Sequence, residues 1–205
     1  MTPRAHLVLD WNGTVVADLD RAVAATGAAA GGLAPRSAAE FRDRFRLPLH
    51  AFVADLGVPP AIIPSTVDRW NREMAGRPPT PAPGARRLLR YARAAGVAVH
   101  VVSSAAPTLV HRDADALGMA ALIDTVTGDA HPKRDAVARY TRTGAVTVYV
   151  GDTEYDIEEG LAAGAVAVGT TYGYRPAGAL LRAGARLVVA DLERLIPIIG
   201  SLSST

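Results

Sequence analysis

Acidic residues stand directly after two apolar runs of this chain. Asp10 follows Leu7-Val8-Leu9, and Asp152 follows Val148-Tyr149-Val150-Gly151, with Asp156 four residues further on. Short apolar runs of this kind predict buried strands of a parallel sheet, and ligands of open α/β sheets bind outside the carboxyl ends of such strands. We therefore expect these carboxylates to meet at one crevice and to form a metal and phosphate site there.

Two further positions between these acids suit phosphate binding. Ser103 follows an apolar run that ends at Val102, and Ser104 comes directly behind it. A serine at such a place is an ordinary helix cap, but its hydroxyl and the backbone N–H groups of a helix start can also cradle an anion. Lys133 is the only lysine among 22 basic residues, and it opens an expected helix. Because the helix dipole disfavours a cation there, its placement indicates ligand binding.

In this order the residues resemble the four motifs of the haloacid dehalogenase superfamily. The first motif corresponds to residues 10–14, the second to Ser103, the third to Lys133, and the fourth to Asp152 and Asp156. The resemblance implies a nucleophilic Asp10 that forms an aspartyl-phosphate, together with a Mg²⁺ ion. The site that it implies has three groups: catalytic Asp10, Asn12, Ser103 and Lys133; phosphate-binding Gly13, Thr14 and Ser104; and metal-binding Asp10, Asn12 through its backbone carbonyl, Asp152 and Asp156.

One position departs from the pattern of the superfamily. Its phosphatases usually carry a second Asp two residues after the nucleophile, which protonates the leaving group and then activates water, and this chain has Asn12 there. An amide can do neither, and such acid–base help is worth typically ~10²–10⁴ in rate. Either His50 or Asp43 takes over, or the leaving group is already good. The alternatives are a binding or regulatory protein with an impaired site and, less favoured, a metal-independent 2-haloacid dehalogenase.

The remaining pattern divides the chain into two parts. Residues 84–205 alternate helices and strands, which together with residues 1–15 predicts a Rossmann-like parallel sheet covered by helices on both faces. Residues 16–83 contain only helical patterns and end in a proline-rich stretch over residues 77–84, so we expect a small all-helical cap domain inserted there. Its candidate substrate contacts are Arg42, Arg44, Arg46, His50, Trp70 and Arg72. Tyr172 and Tyr174 are expected to pack rather than to react.

Composition narrows the function further. The chain has 205 residues, 49% of them hydrophobic, which is enough for a full core. It has no cysteine, so carboxylates and hydroxyls must carry any chemistry. Its net charge is only +2 and its arginines are scattered, which argues against nucleic-acid binding. No targeting segment or membrane span is evident, so we expect a cytoplasmic enzyme that acts on a small phosphorylated metabolite.

Overall fold

Six parallel strands form the centre of the computed structural model, which describes residues 5–203. Their order across the sheet is β3-β2-β1-β4-β5-β6. This arrangement confirms the predicted α/β class with a Rossmann-like sheet. The strands are β1 (Ala5–Leu9), β2 (Ala98–Val102), β3 (Thr125–Thr127), β4 (Val146–Gly151), β5 (Val166–Thr170) and β6 (Leu187–Val189).

The strand order explains how distant residues reach one edge. β1 lies between β2 and β4, and Leu9 pairs with Val101 on one side and with Val150 on the other. All five residues of β1 are buried because helices cover both faces of the sheet, so the strand is continuously apolar rather than alternating. Parallel pairing places the carboxyl ends of β2, β1 and β4 side by side, and the residues that follow them meet there.

Ten α-helices surround or extend the sheet within residues 5–203. Four of them lie between β1 and β2 as an all-helical insertion, and the fifth then leads into β2. In chain order they are α1 (Leu19–Ala30), α2 (Ala38–Arg44), α3 (Leu49–Asp55), α4 (Ile63–Ala75), α5 (Ala85–Ala94), α6 (Pro107–Ala116), α7 (Lys133–Thr141), α8 (Glu154–Ala162), α9 (Ala177–Arg182) and α10 (Ile196–Ser203). None of the helices in this described range is long and apolar enough to cross a membrane.

Side-chain caps and turns set the bounds of several elements. The Ser37 hydroxyl caps α2 by accepting from the N–H of Glu40, and the Glu40 carboxylate accepts from the N–H of Arg36. Residues 120–122 form a 3₁₀ turn, and β3 begins at Thr125.

The two chain segments that join the insertion to the sheet run next to each other. The N–H of Ala82 donates to the carbonyl of Val15 at 2.9 Å, and the N–H of Ala17 donates to the carbonyl of Thr80 at the same distance. Val16 and Pro81 also form an isolated antiparallel bridge. The proline-rich segment thus leaves the insertion beside the point at which the chain enters it.

A buried ion pair fastens the insertion to the helices of the sheet. Arg21 on α1 places its guanidinium 2.6 Å from the Asp113 carboxylate on α6, and its Nε donates to the carbonyl of Met74 at 2.7 Å. The indole of Trp11 also donates to Asp113. Breaking such a buried pair by removing one partner typically costs about 3–5 kcal/mol, so the contact holds α1 and α4 against α6.

Candidate active site

Asp10 and Lys133 form the centre of the site at the carboxyl edge of the sheet. Asp10 is the first residue after β1, and Lys133 is the first residue of α7. Nζ of Lys133 lies 2.8 Å from Oδ1 of Asp10 and 2.6 Å from Oδ1 of Asp156, and all three side chains are almost fully buried. Lys133 therefore faces the acids of this edge rather than solvent, and its predicted role in phosphate binding stays a prediction.

Asp152 lies against Asp10 in a space that only glycines leave open. A Cβ added to Gly13 would sit 2.1 Å from Oδ2 of Asp152, and one added to Gly173 would sit 2.2 Å from its Cβ. Gly13 also has a φ of +75°, a conformation that L side chains rarely adopt. The N–H of Tyr174 donates to Oδ2 of Asp152 at 2.6 Å, and the Thr14 hydroxyl lies 3.4 Å from Oδ1. These contacts fix the direction of the Asp152 carboxylate.

Asp10, Asp152 and Asp156 each contribute a carboxylate oxygen to a cluster within 4.8 Å. Burial, partly offset by Lys133, raises the pKa of Asp10 to about 6. Burial and the charges of Asp156 and Asp10 raise the pKa of Asp152 well above its usual range. The ionised forms of Asp10 and Asp152 are thus unfavourable without a further cation. An all-oxygen donor set of this kind is what Mg²⁺ prefers, so the residues present fit that ion.

Asp156 is the most completely hydrogen-bonded of the three acids. Its Oδ1 accepts from Lys133 and from the Tyr149 hydroxyl at 3.0 Å, and its Oδ2 accepts from the N–H and the hydroxyl of Thr153. Burial alone would raise its pKa, but Lys133 and these hydrogen bonds outweigh burial and hold the pKa below its usual value. Four donors leave Asp156 suited to orienting Lys133 and capping α8.

Asn12 is held by an acid that the sequence prediction missed. Nδ2 of Asn12 donates to Oδ2 of Asp18 at 2.5 Å, while Oδ1 of Asp18 accepts from the N–H of Gly13 and from the Tyr174 hydroxyl, both at 2.9 Å. Burial, partly offset by these donors, raises the pKa of Asp18 to about 6. An ionised carboxylate only accepts hydrogen bonds, so the amide nitrogen must face Asp18. The amide oxygen of Asn12 then remains as an acceptor for other groups.

Asp18 does not have the role that its position before a helix favours. It directly precedes α1, where an Asp is normally a helix cap. In the structure its side chain makes no capping hydrogen bond, because it turns to Asn12 and Tyr174 instead. Tyr174 therefore does more than pack, since it contacts both Asp18 and Asp152. The hydroxyl of the nearby Tyr172 donates a hydrogen bond to the carbonyl of Thr14.

The second group of candidates surrounds the same cavity less directly. Ser103 and Ser104 both line it; the Ser103 hydroxyl accepts from the N–H of Ala105 at 3.2 Å, and the Ser104 hydroxyl donates to the carbonyl of Ala130 at 3.3 Å. Gly13 and Thr14 are buried behind it, with Thr14 directed at Asp152. Phosphate contacts by Gly13, Thr14 and Ser104 stay predictions.

A cavity of about 240 Å³ opens above Asp10, between the sheet edge and the helical insertion. The insertion contributes His50 and Trp70, as expected, and also Asn71 and several apolar side chains. The expected arginines are absent from this lining within residues 5–203. Arg42 donates to the carbonyl of Tyr172, Arg44 to the carbonyl of Asp55, and Arg46 pairs with the Asp55 carboxylate. Asp43 and Arg72 are exposed and lie outside the lining.

Aromatic rings join the insertion to the site. Phe45 lies edge-on to Tyr174 with ring centroids 4.8 Å apart, and Phe41 lies edge-on to the same ring at 5.4 Å. Phe52 packs on both phenylalanines. Tyr174 thus couples the insertion helices α2 and α3 to the acids of the sheet edge.

Comparison with known proteins identifies the family. The family model described as haloacid dehalogenase-like hydrolase matches residues 5–164. The chain therefore belongs to the haloacid dehalogenase-like hydrolases, as its motifs predicted. No curated protein sequence matches the chain significantly.

Solved structures agree on the fold across nearly the whole chain. A predicted phosphatase from Clostridium acetobutylicum is 18% identical with a TM-score of 0.81, and the match covers 97% of this chain and 99% of that one. A predicted phosphoglycolate phosphatase from Haemophilus somnus is also 18% identical, with a TM-score of 0.78 and the same coverage. CbbY from Rhodobacter sphaeroides, solved in complex with phosphate, is 16% identical with a TM-score of 0.77, covering 95% and 96%.

Proposed function

We propose that this hydrolase is a Mg²⁺-dependent phosphatase that acts on a small phosphorylated metabolite through an aspartyl-phosphate on Asp10. The observation that carries the proposal is the buried contact of Lys133 with Asp10 beside Asp152 at the edge of the sheet. A 2-haloacid dehalogenase needs no metal and would leave this acidic cluster without a purpose. The phosphatase neighbours, one of them solved with phosphate, support the same choice.

The metal would be held by Asp10, the backbone carbonyl of Asn12 and Asp152. Asp156 would act next to them by holding Lys133, because its own oxygens are already taken by four donors. Bound Mg²⁺ would neutralise phosphate oxygens and reduce their repulsion from the attacking carboxylate. The residues 16–83 would form a cap domain over the site, and residues 1–15 and 84–205 the core domain.

The side chains of the site would carry out the two steps of phosphoryl transfer. The Asp10 carboxylate attacks phosphorus, and the phosphoryl group passes to it as the leaving oxygen departs. Lys133 and the Ser103 hydroxyl stabilise the negative charge of the phosphoryl oxygens. Water then hydrolyses the aspartyl-phosphate. The Asn12 amide oxygen can orient that water by accepting a hydrogen bond, and the protons of the water leave on the released phosphate. Because the amide cannot protonate a departing alkoxide, the site favours substrates with good leaving groups.

The function is tested by phosphate release from an aryl phosphate with Mg²⁺ and with EDTA. We expect turnover only with Mg²⁺, and we expect Asp152→Asn to weaken Mg²⁺ binding measured by calorimetry, because it removes one of two anionic ligands. Asp68→Asn, an exposed acid on α4 outside the cavity, serves as the control. Metal-independent halide release would instead indicate a dehalogenase, and phosphate-ester binding without turnover would indicate a binding protein.

Asn12→Asp is expected to raise hydrolysis of alkyl phosphates by roughly 10²–10⁴ and of aryl phosphates by less. The substitution places two carboxyl groups at the distance of the present Asn12–Asp18 hydrogen bond, 2.5 Å. Such a pair must keep one proton, which can then be given to a departing alkoxide. The matched control is the double variant Asn12→Asp/Asp18→Asn. It exchanges the two side chains, so that position 12 carries the acid and position 18 the amide. The idea fails if neither variant improves alkyl phosphate hydrolysis while both bind Mg²⁺ normally.

A further inference from the structure

The wall that the helical insertion presents to the cavity is almost entirely apolar. It consists of Phe45, Leu47, Leu49, Val67 and Trp70, with Pro48 between the two leucines. Phe45 and Trp70 are buried, and the indole N–H of Trp70 is already occupied by the Thr26 hydroxyl at 3.0 Å. The polar groups on this side are the neutral amide of Asn71 and the exposed ring of His50. This wall faces the part of a substrate that lies away from the phosphorus.

The charges on the cavity surface do not favour a second anionic group. Among the described residues that line it, Lys133 is the only lysine or arginine, and its ammonium group is shared between Asp10 and Asp156. Asp129 adds an exposed acid to the rim. The His131 ring is engaged through Nδ1 with the Tyr155 hydroxyl at 2.6 Å. A carboxylate or second phosphate on the substrate would therefore meet acids, apolar groups, the Asn71 amide and two imidazole rings, but, among the described lining residues, no lysine or arginine free of another carboxylate.

The arginines of the insertion are close in sequence but committed elsewhere. Arg42, Arg44 and Arg46 flank the segment that lines the cavity, yet their guanidinium groups are bonded to the Tyr172 carbonyl and to the main chain and side chain of Asp55. The wall between them therefore carries no lysine or arginine among the residues that the structure describes.

Resting on the proposed phosphatase function, we propose that the cavity selects small monophosphates whose remaining part is uncharged and mainly apolar, with Val67, Leu49 and Trp70 as its contact surface. Burying an unpaired charge against such a wall is strongly unfavourable, whereas an apolar group gains from the same contact. The cavity volume of about 240 Å³ lies below the roughly 300–1,000 Å³ of sites for drug-sized ligands and suits a small group. Substrates with a second anionic group are expected to have a lower kcat/KM.

The test compares aryl phosphates that differ in charge but not in size. The probes are phenyl phosphate, 4-carbamoylphenyl phosphate and 4-carboxyphenyl phosphate, assayed with the full chain and Mg²⁺. The carbamoyl and carboxylate groups have nearly the same shape, so their comparison isolates the charge. We expect kcat/KM for the carboxylate probe to be at least about tenfold below that for the carbamoyl probe.

Two substitutions of Val67 test whether the apolar wall causes the preference for the uncharged probe. Val67 is partly buried on α4, where a longer straight side chain is compatible with the helix. Val67→Arg adds a cation facing the cavity and is expected to reduce the preference for the carbamoyl probe at least about threefold. Val67→Gln lengthens the side chain without charge and is expected to keep that preference.

The outcomes separate this inference from the phosphatase proposal. Phosphate release with equal or better use of the carboxylate probe by the parent chain would overturn the inference and leave the phosphatase proposal standing. No phosphate release from any probe would overturn the phosphatase proposal. In that case the binding of the carbamoyl and carboxylate probes is compared by calorimetry. The proposed selectivity requires weaker binding of the carboxylate probe, and equal or tighter binding overturns it.

Discussion

Asp10→Asn is expected to lower kcat for an aryl phosphate by at least about 10³-fold, because the other two carboxylates of the cluster have other roles: Asp152 would hold the metal and Asp156 holds Lys133. The same change should leave folding intact or slightly improve it. Burial raises the pKa of Asp10 to about 6, so its ionised form is less favourable in the folded chain than in the unfolded one at neutral pH. An uncharged amide removes that penalty, while Lys133 keeps its contact with Asp156.

The measurement combines steady-state phosphate release with urea unfolding at pH 7. Asp68→Asn, which makes the same chemical change on the exposed face of α4, should keep the activity of the parent chain. If a folded Asp10→Asn protein retained a tenth or more of parental kcat, Asp10 would not be the nucleophile. A loss of activity accompanied by a large loss of stability would instead assign Asp10 a structural role.

Lys133→Met is expected to lower the free energy of unfolding by about 3 kcal/mol in EDTA and to abolish turnover. Lys133 is completely buried between Asp10 and Asp156, and their charges and hydrogen bonds raise its pKa even though burial alone would lower it. Its removal leaves three carboxylates within 4.8 Å with no buried cation beside them. If the three carboxylates take up a proton, the loss in the free energy of unfolding becomes smaller but does not disappear.

Arg134→Met provides the matched control, because it deletes the adjacent cation of α7. Arg134 is exposed and lies 3.7 Å from Glu159, so its loss should cost at most about 1 kcal/mol. Mg²⁺ should stabilise Lys133→Met more than it stabilises the parent chain, since the ion replaces part of the missing charge. Equal stability of the Lys133→Met and Arg134→Met proteins in urea would contradict the central position that we give to Lys133.

The sequence by itself determined the sheet and the members of the acidic cluster. Continuous apolar runs that end in Asp10, Ser103 and Asp152 are typical of buried parallel strands, and parallel strands deliver the residues behind them to one edge. The sheet and the meeting of the acids are both observed, because each depends on local pattern and on a general rule of α/β topology. A lysine at a helix start, against the helix dipole, drew attention to Lys133, and its role toward phosphate stays a prediction.

Only the tertiary structure decided what surrounds that cluster. Asp18 has the position of a helix cap, but the fold brings Tyr174, 156 residues later, against it. Asp18 then accepts from Asn12, and Tyr174 donates to both Asp18 and Asp152. The sequence suggested the arginines of the insertion as substrate contacts. In the structure Arg42 donates to the Tyr172 carbonyl, and Arg44 and Arg46 contact Asp55. Both results depend on which distant groups satisfy a buried or charged side chain, and that competition is settled by packing across the fold rather than by spacing along the chain.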